Sequence, residues 1–410
     1  MATATMTKAA TLPFEPTRAA GLERLERGAA RFGRHYTEHR NHDLGSEDRS
    51  NVSTLSPWIT HRLVTEREVA ARAVGDHGKA GAEKFVQEVL WRTYWKGWLE
   101  MRPHVWSAYL SRLDRALDQA DGNGAIRREY HAAVEGRTGI EGFHDWAREL
   151  AETGYLHNHA RMWFASIWVH TLRLDWSLGA DFFMRHLLDG DAASNTLSWR
   201  WVAGLQTRGK AYAATTSNIA KFTNGRFRPT GLNERAEALD EDEDLRPQPI
   251  EPLSPLPGGK ALLVVHGADC SPERLRWPRT EIVAVAGLRG TGPRSPLDVS
   301  DELTAFVAGA VADGVDRAAA HFDAPPIETS GPEEIVAAAR EAGADHVVTP
   351  YAPVGHIRSA VERLRTLARE ADMPLAELRD DWDSRAWPYA TKGFFKFKER
   401  IPQLLRDAGI

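Results

Sequence analysis

Between residues 236 and 259 the chain reads A-E-A-L-D-E-D-E-D-L-R-P-Q-P-I-E-P-L-S-P-L-P-G-G, and this run divides the molecule in two. Each proline lacks an amide hydrogen and clashes with a preceding helical turn. An acidic cluster followed by five prolines therefore neither extends a helix nor pairs inside a sheet. The run reads as a linker. At 410 residues the chain also exceeds what one hydrophobic core usually serves, so two domains are expected. Residues 1–20 have no contiguous apolar stretch and read as a flexible N-terminal arm rather than a signal peptide. That leaves a helical domain over 21–235 and a second domain over 260–410.

The two halves have different periodicities. After the linker, A-L-L-V-V-H (261–266), E-I-V-A-V-A-G (281–287) and D-H-V-V-T-P-Y (345–351) are short apolar runs of buried-strand type. They alternate with helical patterns at 302–315, 333–343 and 358–372, which predicts a small, mostly parallel, doubly wound α/β domain of Rossmann-like type. G-L-R-G-T-G at 287–292 lacks the G-x-G-x-x-G spacing and is read as a loop, so no dinucleotide is expected in this domain. The tail W-P-Y-A-T-K-G-F-F-K-F-K-E-R-I-P (387–402) is aromatic and basic, suited to docking on the helical domain or to touching nucleic acid.

Before the linker the pattern is helical throughout. A-E-K-F-V-Q-E-V-L-W-R-T-Y-W-K-G-W-L-E-M (82–101) puts Phe85, Glu88, Trp91, Arg92 and Trp95 along one side. S-N-V-S-T-L-S-P (50–57) gathers hydroxyls just ahead of another helical pattern, where they suit capping of free amides or an anion pocket. The stretch from Thr153 to Trp176 reads as a helix of about six turns, with Asn158, Arg161, Met162 and Ala165 on one stripe. L-L-D-G-D-A-A-S-N-T-L-S-W-R-W (187–201) then offers Asp189 and Asp191, either of which can neutralise a buried Arg161. Taken singly, N-x-x-R is an ordinary surface pair and D-G-D an ordinary turn. Their order and spacing are what make the set informative.

As a set they resemble the flavin-binding domain of the photolyase/cryptochrome family, over residues 30 to 205. There a helix carrying N-x-x-R-M and a D-G-D loop bracket the isoalloxazine ring of FAD. The family segment T-S-R-L-S, which holds the FAD diphosphate, is matched here by Ser53, Leu55 and Ser56, while Val52 and Thr54 depart from it. Tyr36 falls where the family has a tyrosine beside the phosphates. The family motif E-x-x-W-R-x-F/Y lies on Glu88, Trp91, Arg92 and Tyr94. The α/β domain follows the helical one instead of preceding it, as in the short, topologically rearranged photolyases called NewPHL.

The resemblance implies FAD as cofactor, held by Tyr36, Val52, Ser53, Thr54, Leu55, Ser56, Phe85, Asn158, Arg161, Asp189, Gly190, Asp191 and Asn195. It implies light-driven splitting of cyclobutane pyrimidine dimers in UV-damaged DNA, single-stranded by preference. Glu88, Trp91, Met162, Asn195 and Trp201 are then catalytic, and Glu88, Trp91, Arg92 and Trp201 contact substrate. A carboxyl group among aromatic rings keeps its proton to a higher pH, so Glu88 suits donation to a carbonyl that gains charge. Asn195 stands at the position facing flavin N5, where an amide adds no charge. Trp199 and Trp176 match two members of the family's tryptophan relay. Its outermost position is Ala133 here, with Tyr130, Trp146, Trp163 and Trp168 as candidate replacements. An antenna pigment is not expected.

Three readings compete: a cryptochrome-like light sensor, a structural nucleic-acid binder with a vestigial flavin site, and a (6-4) photolyase that would use His157 or His159. A net charge of −5 excludes coating of nucleic acid by bulk charge but permits a local basic rim, for which Arg92, Lys96, Arg102, Arg200 and residues 206–235 are candidates. One cysteine, Cys270, excludes an internal disulfide framework and a thiolate metal site and fits the reducing cytoplasm. No apolar run approaches the ~20 residues of a membrane span, and a monomer is expected.

Overall fold

The computed structural model describes residues 14–241, 243–288 and 294–410. Residues 1–13 of the expected arm lie outside them. The rest of that segment is docked: Phe14 is buried with its ring 5.5 Å from Trp58 and 5.7 Å from Tyr155. Helix α1 (Arg18–Ala29) already begins at Arg18, where the Thr17 hydroxyl accepts from the Ala20 amide. The arm expected over 1–20 is thus corrected from Phe14 onward. A ring buried against two others holds its segment down.

Short helices α2 (Arg34–His39) and α3 (Ser56–Thr60) precede the long α4 (Glu66–Glu100). A capping box starts α4, with Thr65 Oγ1 accepting from the Glu68 amide and the Glu68 carboxylate accepting from the Thr65 amide. At Gly78 (φ 67, ψ 164) it kinks, a backbone state that suits glycine. Helices α5 (Pro103–Gly122), α6 (Gly124–Val134) and α7 (Phe143–Thr153) lead to the segment expected as one helix of six turns. That expectation is corrected. Gly154 takes the left-handed conformation (φ 63) and ends α7, and a side chain there would run into Leu188 at 2.6 Å. The chain restarts as α8 (Asn158–Ser166), which loosens into a π-helical turn (Ile167–Thr171). Helices α9 (Trp176–His186), α10 (Ala192–Val202) and α11 (Thr216–Phe222) complete this half.

The acidic, proline-rich segment is extended but not free. Leu239 and Gln248 donate their amides to Ala203 and Met101 carbonyls, and Arg102 donates to the Leu245 carbonyl. Glu241 and Glu243 pair with Arg112 and Arg200 of the helical domain. Its acidic composition is explained by the arginines it covers.

The second half is a five-stranded, all-parallel sheet in the order β3-β2-β1-β4-β5, from β1 (Gly259–His266), β2 (Thr280–Leu288), β3 (Pro326–Ile327), β4 (His346–Pro350) and β5 (Leu375–Leu378). Gly287 and Leu288 of the expected 287–292 loop close β2, and 289–292 lie outside the described residues. Helices α12 (Asp301–Phe322), α13 (Pro332–Glu341) and α14 (His356–Glu370) connect the strands. Apolar residues of α13 and α14 pack on one sheet face as a separate core, whereas those of α12, such as Phe306 and Val311, merge with the helical domain's core. The tail forms α15 (Asp381–Ala386), α16 (Phe394–Lys398) and α17 (Ile401–Asp407) and docks on α4. A side chain at Gly97 would strike the Trp387 backbone at 2.7 Å. No helix among the described residues is long and apolar enough to cross a membrane.

Candidate functional site

The D-G-D loop joins α9 to α10, and its two carboxylates do different jobs. Arg161, one turn into α8, donates from Nη1 and Nη2 to the two Asp189 oxygens at 3.0 and 2.9 Å. This fork decides between the two candidate partners, because a planar guanidinium matches a carboxylate edge to edge. Burial alone would raise the Asp189 carboxyl pKa, but Arg161, with Arg92 adding to it, holds it below the usual range. The Thr60 hydroxyl donates to the Asp189 carbonyl at 3.2 Å. Asp191 instead caps α10, accepting from the Ser194 amide at 2.7 Å, and lies 3.8 Å from the Lys96 ammonium. Its pKa is also lowered, against burial, chiefly by Lys96 and then by Arg92.

One turn into α10 the buried Asn195 donates from Nδ2 to the Ala180 carbonyl at 2.8 Å, which fixes its amide. On α8, Asn158 is exposed and Met162 half-buried, with the Asn158 amide 4.0 Å from the Met162 sulfur. On α4, Phe85 is buried while Glu88, Trp91 and Arg92 are half-buried. Polar groups here await a partner: Arg92 Nη1 and Ser194 Oγ are buried without a hydrogen bond among the described residues.

Ahead of α3, Ser53 and Val52 are half-buried, Leu55 is buried and Thr54 has a left-handed backbone (φ 52). Among the described residues no side chain caps α3, so the hydroxyls do not serve as the expected caps. The Ser53 carbonyl accepts from Arg24 Nε at 3.0 Å, while Tyr36 packs edge-on against Phe85 at 4.9 Å. The α3 amides without a side-chain cap and the unpartnered Arg92 nitrogen, with α3 joined to the D-G-D loop through Thr60, suit the phosphates and ring edge of a flavin nucleotide.

Several expectations need correction. Glu88, expected to contact substrate, is held by another part of the chain. Its carboxylate accepts from Arg40 Nη1 at 2.7 Å, and burial raises its pKa although Arg40 opposes the shift. Arg40 gave no signal in the sequence, since the pair is 48 residues apart. Trp91 stacks on Phe394 of the tail with centroids 3.7 Å apart, so the tail already covers one of its faces. Trp201 stacks on Tyr212 at 5.5 Å. The basic rim shrinks: Lys96, Arg102 and Arg200 are all buried, Arg102 against the Leu245 and Thr391 carbonyls and Arg200 against Glu243. Charged groups surrounded by protein find internal partners rather than solvent.

His157 and His159 are tied to the Arg40 and Asn41 carbonyls. Trp199 and Trp176 are buried. Trp168 lies 6.2 Å from Trp199 and 6.1 Å from Tyr130, and Trp176 lies 5.7 Å from Tyr109, while Trp146 and Trp163 pair with each other.

Behind the loop is a feature the sequence did not reveal. The α/β domain inserts Arg294, which donates from Nη1 to the Gly190 carbonyl at 2.9 Å and closes on Gly190 so tightly that a side chain there would meet it at 2.8 Å. His61 Nδ1 and Nε2 lie 2.5 and 3.1 Å from the Gly267 and Leu188 carbonyls, and burial lowers its pKa to about 4.

Residues 85–230 match the family model described as the FAD binding domain of DNA photolyase. A deoxyribodipyrimidine photo-lyase of Streptomyces griseus is 40% identical over 157 residues, 38% of this chain and 33% of that protein. One from Thermus thermophilus is 35% identical over 158 residues, 38% of this chain and 36% of that protein. The chain thus matches about a third of the length of these curated relatives. Among solved structures, a class III photolyase from Agrobacterium tumefaciens has 23% identity and a TM-score of 0.43, over 52% of this chain and 44% of that one. A Synechocystis cryptochrome has 24% identity and a TM-score of 0.41, over 50% and 43%.

Proposed function

Starting from a chain whose residues 85–230 match the FAD binding domain of DNA photolyase, we propose that the protein is a light-driven photolyase that splits cyclobutane pyrimidine dimers, by preference in single-stranded DNA. The observation that carries this reading is the Arg161–Asp189 fork. It fixes α8 and the D-G-D loop, so that Asn158 and Met162 stand on one clamped element and Asn195 on the other. Bound FAD, in its reduced state, supplies an electron under blue light. Asn158, Arg161, Asp189, Gly190 and Asp191 would hold its ring system, and Tyr36, Phe85 and the backbone of Val52, Ser53, Thr54, Leu55 and Ser56 its nucleotide end. Asn195 adds no negative charge beside the ring.

On the substrate side, Glu88 carries a carboxyl whose burial favours the protonated form, so it can donate to a pyrimidine carbonyl as charge develops there. Trp91 keeps one face for a base because Phe394 takes the other, and Trp201, Met162 and Arg92 would line the rest. A dimer stacks and pairs poorly, so swinging it out costs less, and least in a single strand. Buried Trp199 and Trp176 would return electrons to the cofactor. His157 and His159 each bond a backbone carbonyl, which supports the cyclobutane reading over the (6-4) one. An α/β domain behind the helical one fits the compact, rearranged photolyases, and a cytoplasmic monomer without antenna pigment completes the proposal.

The test is illuminated repair of a dimer-bearing oligonucleotide, single- against double-stranded, by wild type and Glu88→Ala. Losing a hydrogen bond to a charged centre, worth about 1.5 kcal/mol or more, should lower the yield about tenfold with FAD absorbance intact. An unchanged yield would strip Glu88 of its role, and no repair at all by wild type would sink the proposal.

A further inference from the structure

The rear of the D-G-D loop meets the sheet where its order reverses. Strands β1 and β4 are neighbours, yet the chain leaves β1 toward β2 and β3 and returns on its other side through β4 and β5. At such a point the connections leave in opposite directions, and a crevice opens beyond the strand ends. Here it is a cavity of about 30 Å³. Gly267 and Ala268 line it after β1, residues 353–357 after β4, and Thr60, His61, Lys96 and residues 190–192 from the helical domain. At ~10–15 Å³ per water, this holds roughly two to three waters or one tetrahedral oxyanion, and no ring system.

The groups around it are short of negative charge. Arg294 is 2% exposed, and no carboxylate among the described residues lies within ion-pair reach of it. Its only hydrogen bonds among the described residues go to the Gly190 and Met184 carbonyls, and its Nε has no partner there. A buried guanidinium in that state is costly unless an anion joins it. Lys96, 3% exposed, reaches among the described residues only Asp191, at 3.8 Å, and that carboxylate is already held by the Ser194 amide. His356 is 6% exposed and neither ring nitrogen has a partner among the described residues. It is the first residue of α14, a helix of 15 residues whose N-cap, Gly355, offers no side chain to the free amides.

From this convergence we propose that the cavity is an oxyanion site, binding inorganic phosphate or the phosphate group of a mononucleotide between Arg294, His356, Lys96 and the α14 amides, and so pinning the α/β domain to the back of the D-G-D loop. The anion supplies the charge that Arg294 lacks and accepts from donors that otherwise have no partner. This inference does not rest on the repair reaction, although Gly190 and Asp191, assigned above to the cofactor, also line the cavity.

The experiment is calorimetric titration of the full-length protein, freed of phosphate and sulfate, at constant ionic strength. Inorganic phosphate, AMP and chloride are the three titrants. Saturable binding of one phosphate per chain is expected, weakened at least tenfold in Arg294→Gln and in His356→Leu. Circular dichroism checks the fold of both variants, and Lys96→Met replaces either one that fails to fold. Binding of AMP in competition with phosphate would identify a nucleotide phosphate as the source, and binding of phosphate alone a free ion. Heats indistinguishable from those of chloride, or variants that bind like wild type, would overturn the site. So would loss of phosphate binding on saturation with FAD, which would make the cavity part of the cofactor's own site. Dimer repair by a protein that binds no phosphate would sink this inference alone.

Discussion

The D-G-D loop is gripped by an arginine from each side, and the two grips differ in kind. On the side of α8, Arg161 meets Asp189 as a two-bonded ion pair. On the side of the α/β domain, Arg294 meets, among the described residues, only carbonyl oxygens, those of Gly190 and Met184. The first charge is compensated within the fold, and burial there is offset by the partner. The second is not, and its pKa is pushed down to about 10 by burial, with distant Asp191 only partly opposing the shift. A paired charge under the loop makes a rigid floor. An unpaired one behind it makes a site that improves when an anion arrives.

The sharpest way to break this contrast is Arg161→Met. It strands a buried carboxylate, which should cost about 3–5 kcal/mol and abolish FAD retention, read by urea unfolding and visible absorbance. If both survive, the fork is not the floor of the site. Next in size is the effect of pH on the rear grip. His61 titrates at about 4 in the fold against ~6.5 when unfolded, so the unfolded chain takes up its proton first as the pH falls. Stability is therefore complete above about pH 6.5 and declines toward pH 4 by about 3 kcal/mol from this residue. His356, likewise lowered, adds to the slope. Unfolding midpoints between about pH 4.5 and 7.5 should flatten in His61→Gln, and an unaltered slope would exclude His61 as its source.

Smaller again is Arg294→Met in phosphate-free buffer. It removes two bonds to carbonyls but also an uncompensated charge, so a loss of about 1–2 kcal/mol is expected, well below that of Arg161→Met. Equal losses would erase the distinction between the grips. The smallest effect is Thr60→Val, which removes one hydroxyl bond to the Asp189 carbonyl and should cost about 1 kcal/mol with FAD retained.

How much of this the sequence disclosed follows a physical line. Helical spacing put Glu88, Trp91 and Arg92 on one side of α4, and Asn158, Arg161 and Met162 on one side of α8, and there the structure has them. Periodicity says which residues share a face, however, not what covers it. Arg102 and Arg200 read as candidates for a basic rim together with residues 206–235, yet both are buried, Arg102 under the 236–259 segment and the tail and Arg200 under Glu243. The six-turn helix expected over 153–176 is cut at both ends, by left-handed Gly154 before α8 and by left-handed Arg173 (φ 56) before α9.

By itself the chain determined an extended acidic, proline-rich run, the α/β rhythm that follows it, and the helical spacing of Glu88, Trp91, Arg92, Asn158, Arg161 and Met162, because these depend on local backbone chemistry and near-neighbour spacing. Only the tertiary structure decided that Arg161 takes Asp189, that Arg40 takes Glu88, that Phe394 covers Trp91, and that Arg294 and His356 converge behind Gly190. Those pairings join residues from 28 to 303 positions apart in the chain. Contacts that distant are selected by how whole elements pack, and no local pattern encodes them.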